Sequence, residues 1–232
     1  MPALWNQDFV MERVNPEYEP LQVRLLEMAG LVEAAIHRSI RVLTEREDRE
    51  AQEVLRNEAR INQIEMQIDD LALDLLARAA TAKDRRFVMA AIKINSDLER
   101  MGDLAVNIVE RALSLMRQPP VKPLIDIPHM AKLVESMVRR SLDGFVRRDA
   151  ELAHSVLLSD DAVDDLRDAI YNELVGFMER DPATISRALD LIFVARNLER
   201  IADHATNIAE DVLFVVQGVD VRHNAPAPEA RG

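Results

Sequence analysis

Cysteine is absent from this 232-residue sequence. Disulfide bonds and thiolate metal sites are therefore excluded. Glycine is also scarce, with six residues, and aromatic residues make up only 4% of the chain. The sequence relies instead on alanine, leucine, glutamate, arginine and methionine, which favour helices and suit β-sheets poorly.

Positive charge and long apolar runs are lacking as well. The formal net charge is −12, and no run of Lys or Arg is longer than two residues. Such a chain has no general attraction to nucleic acid or to an anionic lipid surface. No apolar run approaches the roughly 20 residues that span a bilayer. The first residues, MPALWNQDFVMERV, have no basic region followed by an apolar stretch, so we expect no secretory signal and a cytoplasmic location.

Two copies of one unit make up most of the chain. The stretch MAGLVEAAIHRSI, from Met28, matches MAKLVESMVRRSL, from Met130, at an offset of 102 residues. Further along, DLERMGDLAVNIVER from Asp97 matches NLERIADHATNIAED from Asn197 at an offset of 100. A connection two residues shorter in the second copy accounts for the change. Internal repetition of this kind indicates two similar structural units.

Each copy predicts three long helices, because apolar residues recur at spacings of three and four and prolines are missing within them. The predicted helices cover roughly 16–46, 48–80 and 84–117 in the first copy, and 127–147, 149–179 and 182–216 in the second. We therefore expect an all-α fold of two tandem, pseudo-symmetric three-helix bundles. The predicted divisions are an irregular arm 1–15, a first repeat 16–117, a proline-rich linker 118–126, a second repeat 127–217 and a flexible tail 218–232.

Acidic and amide residues form a polar stripe beside the apolar stripe of the third helix in each copy. Steps of four, four and three residues keep them on one helical face. The stripes are Glu99, Asp103, Asn107 and Glu110 in the first copy, and Glu199, Asp203, Asn207 and Glu210 in the second. The second helix adds a pair at the same spacing, Asp160 and Asp164, whose counterparts in the first copy are Glu58 and Asn62.

Carboxylates four residues apart repel each other, which costs a helix roughly 0.2–0.5 kcal/mol per pair. A bound cation removes that cost, and all-oxygen ligands suit Mg²⁺, Ca²⁺, Mn²⁺ or iron. The alternative is a solvated helix flank whose acids form surface ion pairs worth about 0–1 kcal/mol. The repeat favours a ligand role, because apolar positions such as Met101 and Ile201 differ between copies whereas the acids and amides are kept.

At these residues the sequence resembles the PhoU family of bacterial phosphate-transport regulators. The paired stretches LERMGDLAVNI and LERIADHATNI carry the resemblance, which extends from about Tyr18 to His223. It implies a two-lobed helical protein with multinuclear iron or zinc clusters on E/D-x-x-x-D motifs, with manganese or magnesium as alternatives. The matching positions are Glu99 and Asp103, Glu199 and Asp203, Asp160 and Asp164, and Glu58 with Asn62.

Two departures qualify this assignment. Asn62 is an amide where the motif has an acid, so the resemblance implies a smaller or weaker cluster in the first copy. His204 stands where the other copy has Leu104, and we expect it to be structural rather than a ligand. Asn107 and Asn207 match the amide of the family signature, and we expect them to hydrogen-bond the ligands.

The resemblance also implies a regulatory role. Family members associate with the ATPase of the phosphate ABC transporter and with a phosphate sensor histidine kinase. They restrain phosphate uptake, repress the phosphate-starvation response and have no turnover chemistry. We accordingly expect a cytoplasmic homodimer that is not an enzyme, does not bind nucleic acid and reaches the membrane only through its partners. The sequence itself carries no recognisable nucleophile motif or glycine-rich phosphate loop.

Two other classes compete with this interpretation. A ferritin-like di-iron enzyme needs Glu-x-x-His on two helices. Glu151–His154 has that spacing, but its counterparts in the first copy, Arg49 and Gln52, do not. The stronger rival is a metal-free helical scaffold whose acidic faces dock basic partners. Metal content of protein purified without a histidine tag discriminates the two.

Overall fold

A computed structural model describes residues 16–124 and 126–218, so the predicted N-terminal arm and nearly all of the predicted tail lie outside the described residues. Those residues form seven α-helices and two short 3₁₀ turns. The helices are α1 Glu19–Glu45, α2 Asp48–Arg78, α3 Ala82–Met116, α4 Asp126–Arg147, α5 Ala150–Leu157, α6 Asp160–Arg180 and α7 Ile185–Gln217. The 3₁₀ turns, Pro16–Tyr18 and Pro182–Thr184, precede α1 and α7. The expectation of an all-helical fold is confirmed.

The helices divide into two lobes that meet along a central pair. Helices α1, α2 and α3 pack on one another, and α4, α5 and α6 pack against α7. Helices α3 and α7 lie side by side in opposite directions, since Lys93 contacts Asp211 at one end of the pair and Arg111 contacts Asp190 at the other. Helix α1 also touches α4 across the lobes. Within the described residues, no helix combines the length and apolarity needed to cross a bilayer.

The apolar stripes of α3 and α7 form the centre of the core. Their side chains have essentially no exposed surface, as the periodicity predicts. The buried residues are Leu98, Met101, Ala105, Ile108 and Ala112 on α3, and Leu198, Ile201, Ala205, Ile208 and Val212 on α7. Both stripes serve the packing within a lobe and the contact between lobes, which explains why these two helices are the longest.

The prediction of one continuous second helix in the second copy, 149–179, is wrong. That helix is interrupted after Leu157, and α6 starts at Asp160. In an unbroken helix the carbonyl of Ser155 would accept from the amide of Ser159. Here Arg140 of α4 donates to that carbonyl at 2.9 Å, and the Ser159 amide bonds Val156 instead. The Arg140 guanidinium and the Ser159 hydroxyl, each 2.9 Å from the Ser155 carbonyl, thus take the place of the helical hydrogen bond.

The proline-rich linker is tied to both lobes. Arg46, which adopts a left-handed backbone conformation with φ of 58°, donates to the carbonyls of Leu115, Met116 and Gln118. Lys122 bonds Asp126 at 2.7 Å and also contacts Glu173 of α6. The described residues of the linker thus contact both lobes, and these contacts help to set the position of one lobe relative to the other.

Candidate metal centre

Gly102 lies where α2 packs on α3 in the first lobe. A Cβ atom at this position would lie 3.1 Å from Cδ1 of Ile61, so the glycine lets α2 pack directly on α3. This close packing brings the acids of α2 beside those of α3. The resulting first-lobe acid group consists of Glu65 and Asp69 from α2 with Glu99 and Asp103 from α3.

Like-charge crowding is visible in the acid–base properties of this group. Burial, Asp103 and Glu65 all raise the pKa of Glu99. Burial, Asp69 and Asp103 likewise raise the pKa of Glu65. Arg100 lowers the pKa of Glu99 in part, but the net direction is upward. The group therefore carries negative charge that the neighbouring protein cations do not balance.

Asn95 adds a further oxygen to the first-lobe acid group. Its side chain is buried, and its amide nitrogen donates to the carbonyl of Glu65 at 3.1 Å and to Oδ1 of Asp69 at 2.9 Å. These two bonds fix the amide orientation. The Oδ1 atom of Asn95 is buried and has no hydrogen-bond partner among the described residues. The crowded carboxylates form a donor set that fits a hard cation.

The second lobe gathers its acids in the same way. Asp160 and Asp164 of α6 face Glu199 and Asp203 of α7, and these four residues form the second-lobe acid group. Burial raises the pKa of Asp160, and Asp164 and Asp203 add to the effect. The pKa of Asp203 is raised by burial, Glu199 and Asp164, although the residue keeps an exposed surface.

Arg167 distinguishes the second lobe from the first. Its guanidinium lies 2.7 Å from Glu199 and 3.0 Å from Asp164, so the protein supplies a counter-charge there. Under the 102-residue offset the counterpart of Arg167 is Glu65. One lobe thus has a cation where the other has an additional acid. The amide at Asn62 implied a weaker first-lobe cluster, but that expectation did not count the acid at position 65.

The structure brings together six of the eight predicted ligand positions. Glu99 and Asp103 join one acid group, and Asp160, Asp164, Glu199 and Asp203 form the other. Burial, Asp69 and Asp103 raise the pKa of Glu65, and the ligand role of Glu58 and Asn62 stays a prediction. The missed pair, Glu65 and Asp69, itself has E-x-x-x-D spacing seven residues after Glu58, so the signal was present in the sequence.

In neither acid group do the carboxylates converge on a common point where one ion could sit. Among the described residues, no three carboxylate or imidazole side chains converge in the geometry of a metal site. The donor chemistry fits a cation, but metal binding at these positions stays a prediction.

The predicted amide and histidine positions lie at the contact between lobes. Nδ1 of His204 is 2.8 Å from Oδ1 of Asp97, and both side chains are buried. Asn207 points its amide nitrogen at the same oxygen, at 3.5 Å. Asn207 keeps an exposed surface, as does its counterpart Asn107. His204 therefore has the structural place expected of it, and Asn207 contacts Asp97 of the opposite lobe.

Comparison with known proteins identifies the family that has this architecture. The PhoU domain family model matches the chain twice, over residues 25–112 and 127–212. This chain belongs to the PhoU family. A PhoU homologue of Pseudomonas aeruginosa, described as a phosphate-specific transport system accessory protein, is 39% identical over 216 residues, which cover 92% of this chain and 89% of the relative.

Two solved PhoU structures have the same fold. The crystal structure of PhoU from Pseudomonas aeruginosa aligns with a TM-score of 0.86 and 38% identity, covering 89% of this chain and 100% of that one. PhoU from Streptococcus pneumoniae, described as a phosphate transport system regulatory protein, aligns with a TM-score of 0.81 and 27% identity over 88% and 97%. PhoU proteins are regulatory accessory proteins, so the resemblance and the expectation of a non-enzyme are both confirmed.

We predict that the metal-free protein becomes more stable as the pH is lowered from 7 towards 5. The pKa values of Glu65, Glu99, Asp160 and Asp203 are raised in the folded state. Above the ordinary carboxyl pKa of about 4 the folded state then binds more protons than the unfolded state, so stability falls as pH rises. We expect about 0.2–0.5 kcal/mol for each like-charge pair relieved.

Urea unfolding in the presence of a chelator, at several pH values, measures this dependence. Glu65→Gln together with Glu99→Gln should flatten it, and Glu47→Gln, an exposed acid outside both groups, should not. A stability that rises with pH between 5 and 7 in the parent would contradict the prediction.

Proposed function

We propose that this protein regulates phosphate uptake and represses the phosphate-starvation response. The double match to the PhoU domain carries the proposal, together with relatives described as accessory and regulatory proteins of phosphate transport. The protein acts by contact with the ATPase of the phosphate ABC transporter and with the phosphate sensor histidine kinase. It works in the cytoplasm as a homodimer and reaches the membrane through these partners. Neither role requires bonds to be made or broken by this chain.

Metal ions on the acid groups form the second part of the proposal. In the first lobe Glu65, Asp69, Glu99 and Asp103, with the free oxygen of Asn95, would hold the cation. Iron, zinc or manganese bound there would neutralise the crowded carboxylates and stiffen the contact between α2 and α3. The first lobe should bind more tightly, because no ion pair among the described residues joins its carboxylates to an arginine as Arg167 does in the second lobe. Arg167 must move aside before the second lobe can offer all four of its acids.

The alternative to a metal-binding regulator is a metal-free scaffold protein. The acid groups are not closed around a point, and Arg167 already neutralises part of the second group. On this alternative the exposed acids are contacts for basic surfaces of the partners. Regulation would then survive metal removal but not loss of the acids.

Loss of one acid from each group should empty the metal sites. We expect elemental analysis of untagged protein to find iron, zinc or manganese in the parent and at least tenfold less in the Asp103→Ala/Asp203→Ala variant. Removing a carboxylate ligand from each group weakens both sites at once. Asp48→Ala with Asp165→Ala removes two exposed acids outside the groups and should retain the metal. Equal metal content in the two double variants would show that the acid groups are not the sites.

The regulatory role is tested with a reporter of phosphate-starvation genes in cells that carry either double variant in place of the parent. Derepression in high phosphate is expected for Asp103→Ala/Asp203→Ala only. If this variant is stably folded and free of metal but still represses normally, metal binding is not needed for repression. The regulatory role of the protein would then remain. If cells lacking the parent protein also repress normally, the regulatory role itself is rejected.

A further inference from the structure

Helix α2 carries a row of apolar side chains on its solvent face. Leu55, Met66 and Leu73 expose 44%, 62% and 62% of their surface, and Ala59 is exposed between them. Their spacings of four, seven and seven residues keep all four on one side of a helix. The buried side of the same helix is a separate row, made by Ile61, Ile64, Ile68 and Leu75. We call the exposed row the outer seam of α2.

The second lobe shows that the fold does not require this seam. At the 102-residue offset, the counterparts of Ala59 and Met66 are Asp161 and Asp168, both exposed. The counterparts of Leu55 and Leu73 are Leu157 and Val175, which are apolar but partly buried, so the second lobe has no matching row of exposed apolar side chains. The row extends about 27 Å along α2, at 1.5 Å per residue from Leu55 to Leu73, with Asn62 and Asp69 between its apolar members, and it is a candidate contact surface.

The charged residues beside the outer seam indicate which kind of partner can bind it. Glu58 and Glu65 follow one edge of it at the same heptad spacing, and Asp69 lies within it. Beyond that edge are Glu99 and Asp103 of α3, which are close enough to Glu65 to shift its acid–base behaviour. In a twofold-symmetric antiparallel contact between two copies, each edge would meet its own copy, and Glu58 and Glu65 would face identical acids. A second copy is therefore disfavoured, and a basic partner is favoured.

We propose that the outer seam of α2 binds an amphipathic helix of a partner protein. That helix is about 18–20 residues long, carries apolar residues along its centre and places lysine or arginine along the edge that faces Glu58 and Glu65. The proposal rests on the proposed function in one respect, namely that the protein acts through protein contacts. None of Leu55, Ala59, Met66 and Leu73 is a proposed ligand, whereas Glu65 and Asp69 are, so the binding test is made on metal-free protein.

A designed helix provides the probe. The peptide has 21 residues, with leucine at the seam positions and lysine along both edges, and a matched peptide carries glutamate along the edges. Fluorescence anisotropy should show that the lysine peptide binds the full chain at least tenfold more tightly than the glutamate peptide. Met66→Asp with Leu73→Asp should weaken binding of the lysine peptide at least tenfold. Val23→Asp with Leu158→Asp, an equal change at two exposed apolar sites elsewhere, should leave it within twofold.

Three results would overturn the proposal. The first is equal binding of the lysine peptide to both double variants, or no binding to the parent. The second is equal affinity for the two peptides, which would remove the role given to charge. The third is a parent dimer that Met66→Asp/Leu73→Asp converts to monomers in sedimentation, which would assign the seam to a second copy.

The starvation-gene reporter separates this proposal from the regulatory function. Derepression by Met66→Asp/Leu73→Asp alone is expected. Normal repression by both seam and control variants would reject the seam as a regulatory contact while leaving the regulatory role intact.

Discussion

Replacing Asp97 by Ala is expected to lower the free energy of unfolding by about 2–4 kcal/mol. Asp97 of α3 and His204 of α7 are both buried, and their 2.8 Å contact crosses the boundary between lobes. Alanine leaves the imidazole buried without its partner and removes the acceptor that Asn207 approaches. Breaking a buried polar pair on one side costs more than removing both partners, because the remaining group stays desolvated.

The repeat supplies the matched control for this variant. At the 100-residue offset, Asp97 corresponds to Asn197 and His204 to Leu104, so the other half of the α3–α7 contact has an amide and a leucine. Asp97→Asn together with His204→Leu recreates that arrangement and should lie within about 1 kcal/mol of the parent. Chemical denaturation of the three proteins measures the differences. If Asp97→Ala is as stable as the parent, the Asp97–His204 pair contributes nothing to the stability of the contact between lobes.

Replacing Phe87 by Ala should cost about 3–5 kcal/mol, as expected for a fully buried aromatic ring. Phe87 of α3 stacks on Phe145 of α4 with ring centres 5.4 Å apart, and its other neighbour is Tyr18 at 5.5 Å. The guanidinium of Arg148 lies 5.7 Å from the same ring. One side chain therefore joins α3 to the start of the first lobe and to the second lobe, and alanine leaves a cavity among them.

Phe193 is the comparison for this variant. It is 41% exposed and packs under the guanidinium of Arg111 at 5.0 Å. Phe193→Ala should cost about 1 kcal/mol or less, since the ring is only partly buried and the cation–π contact is exposed. Thermal and urea unfolding of both variants provide the measurement. Similar losses for Phe87→Ala and Phe193→Ala would contradict the view that the aromatic cluster holds the lobes together.

Contacts between α3 and α7 hold the two candidate metal groups in position. Each acid group takes two residues from α3 or α7, and both helices belong to the interface between lobes. The Asp97–His204 pair and the Lys93–Asp211 pair fix the axial register of α3 against α7. Asp97 is two residues from Glu99, and His204 directly follows Asp203. A ligand that repositions one acid group therefore acts on a helix that contacts the other lobe.

The sequence by itself determined the architecture and six of the eight acids in the two candidate groups. Apolar spacing of three and four defined the buried faces of α3 and α7, because helical geometry fixes which residues share a face. The repeated LERxxD stretch identified the acids of α3 and α7, and the proline-rich segment located the linker. All of these signals are local or depend on comparing one copy with the other.

Only the tertiary structure decided the remaining features, because helical periodicity does not set the rotation and axial register of neighbouring helices. Packing of α2 on α3 placed Glu65 and Asp69 beside Glu99 and Asp103. Packing likewise brought Arg140 to the point where α5 ends. The same long-range packing joined Arg167 to Glu199, which balances the second acid group and leaves the first without such a partner.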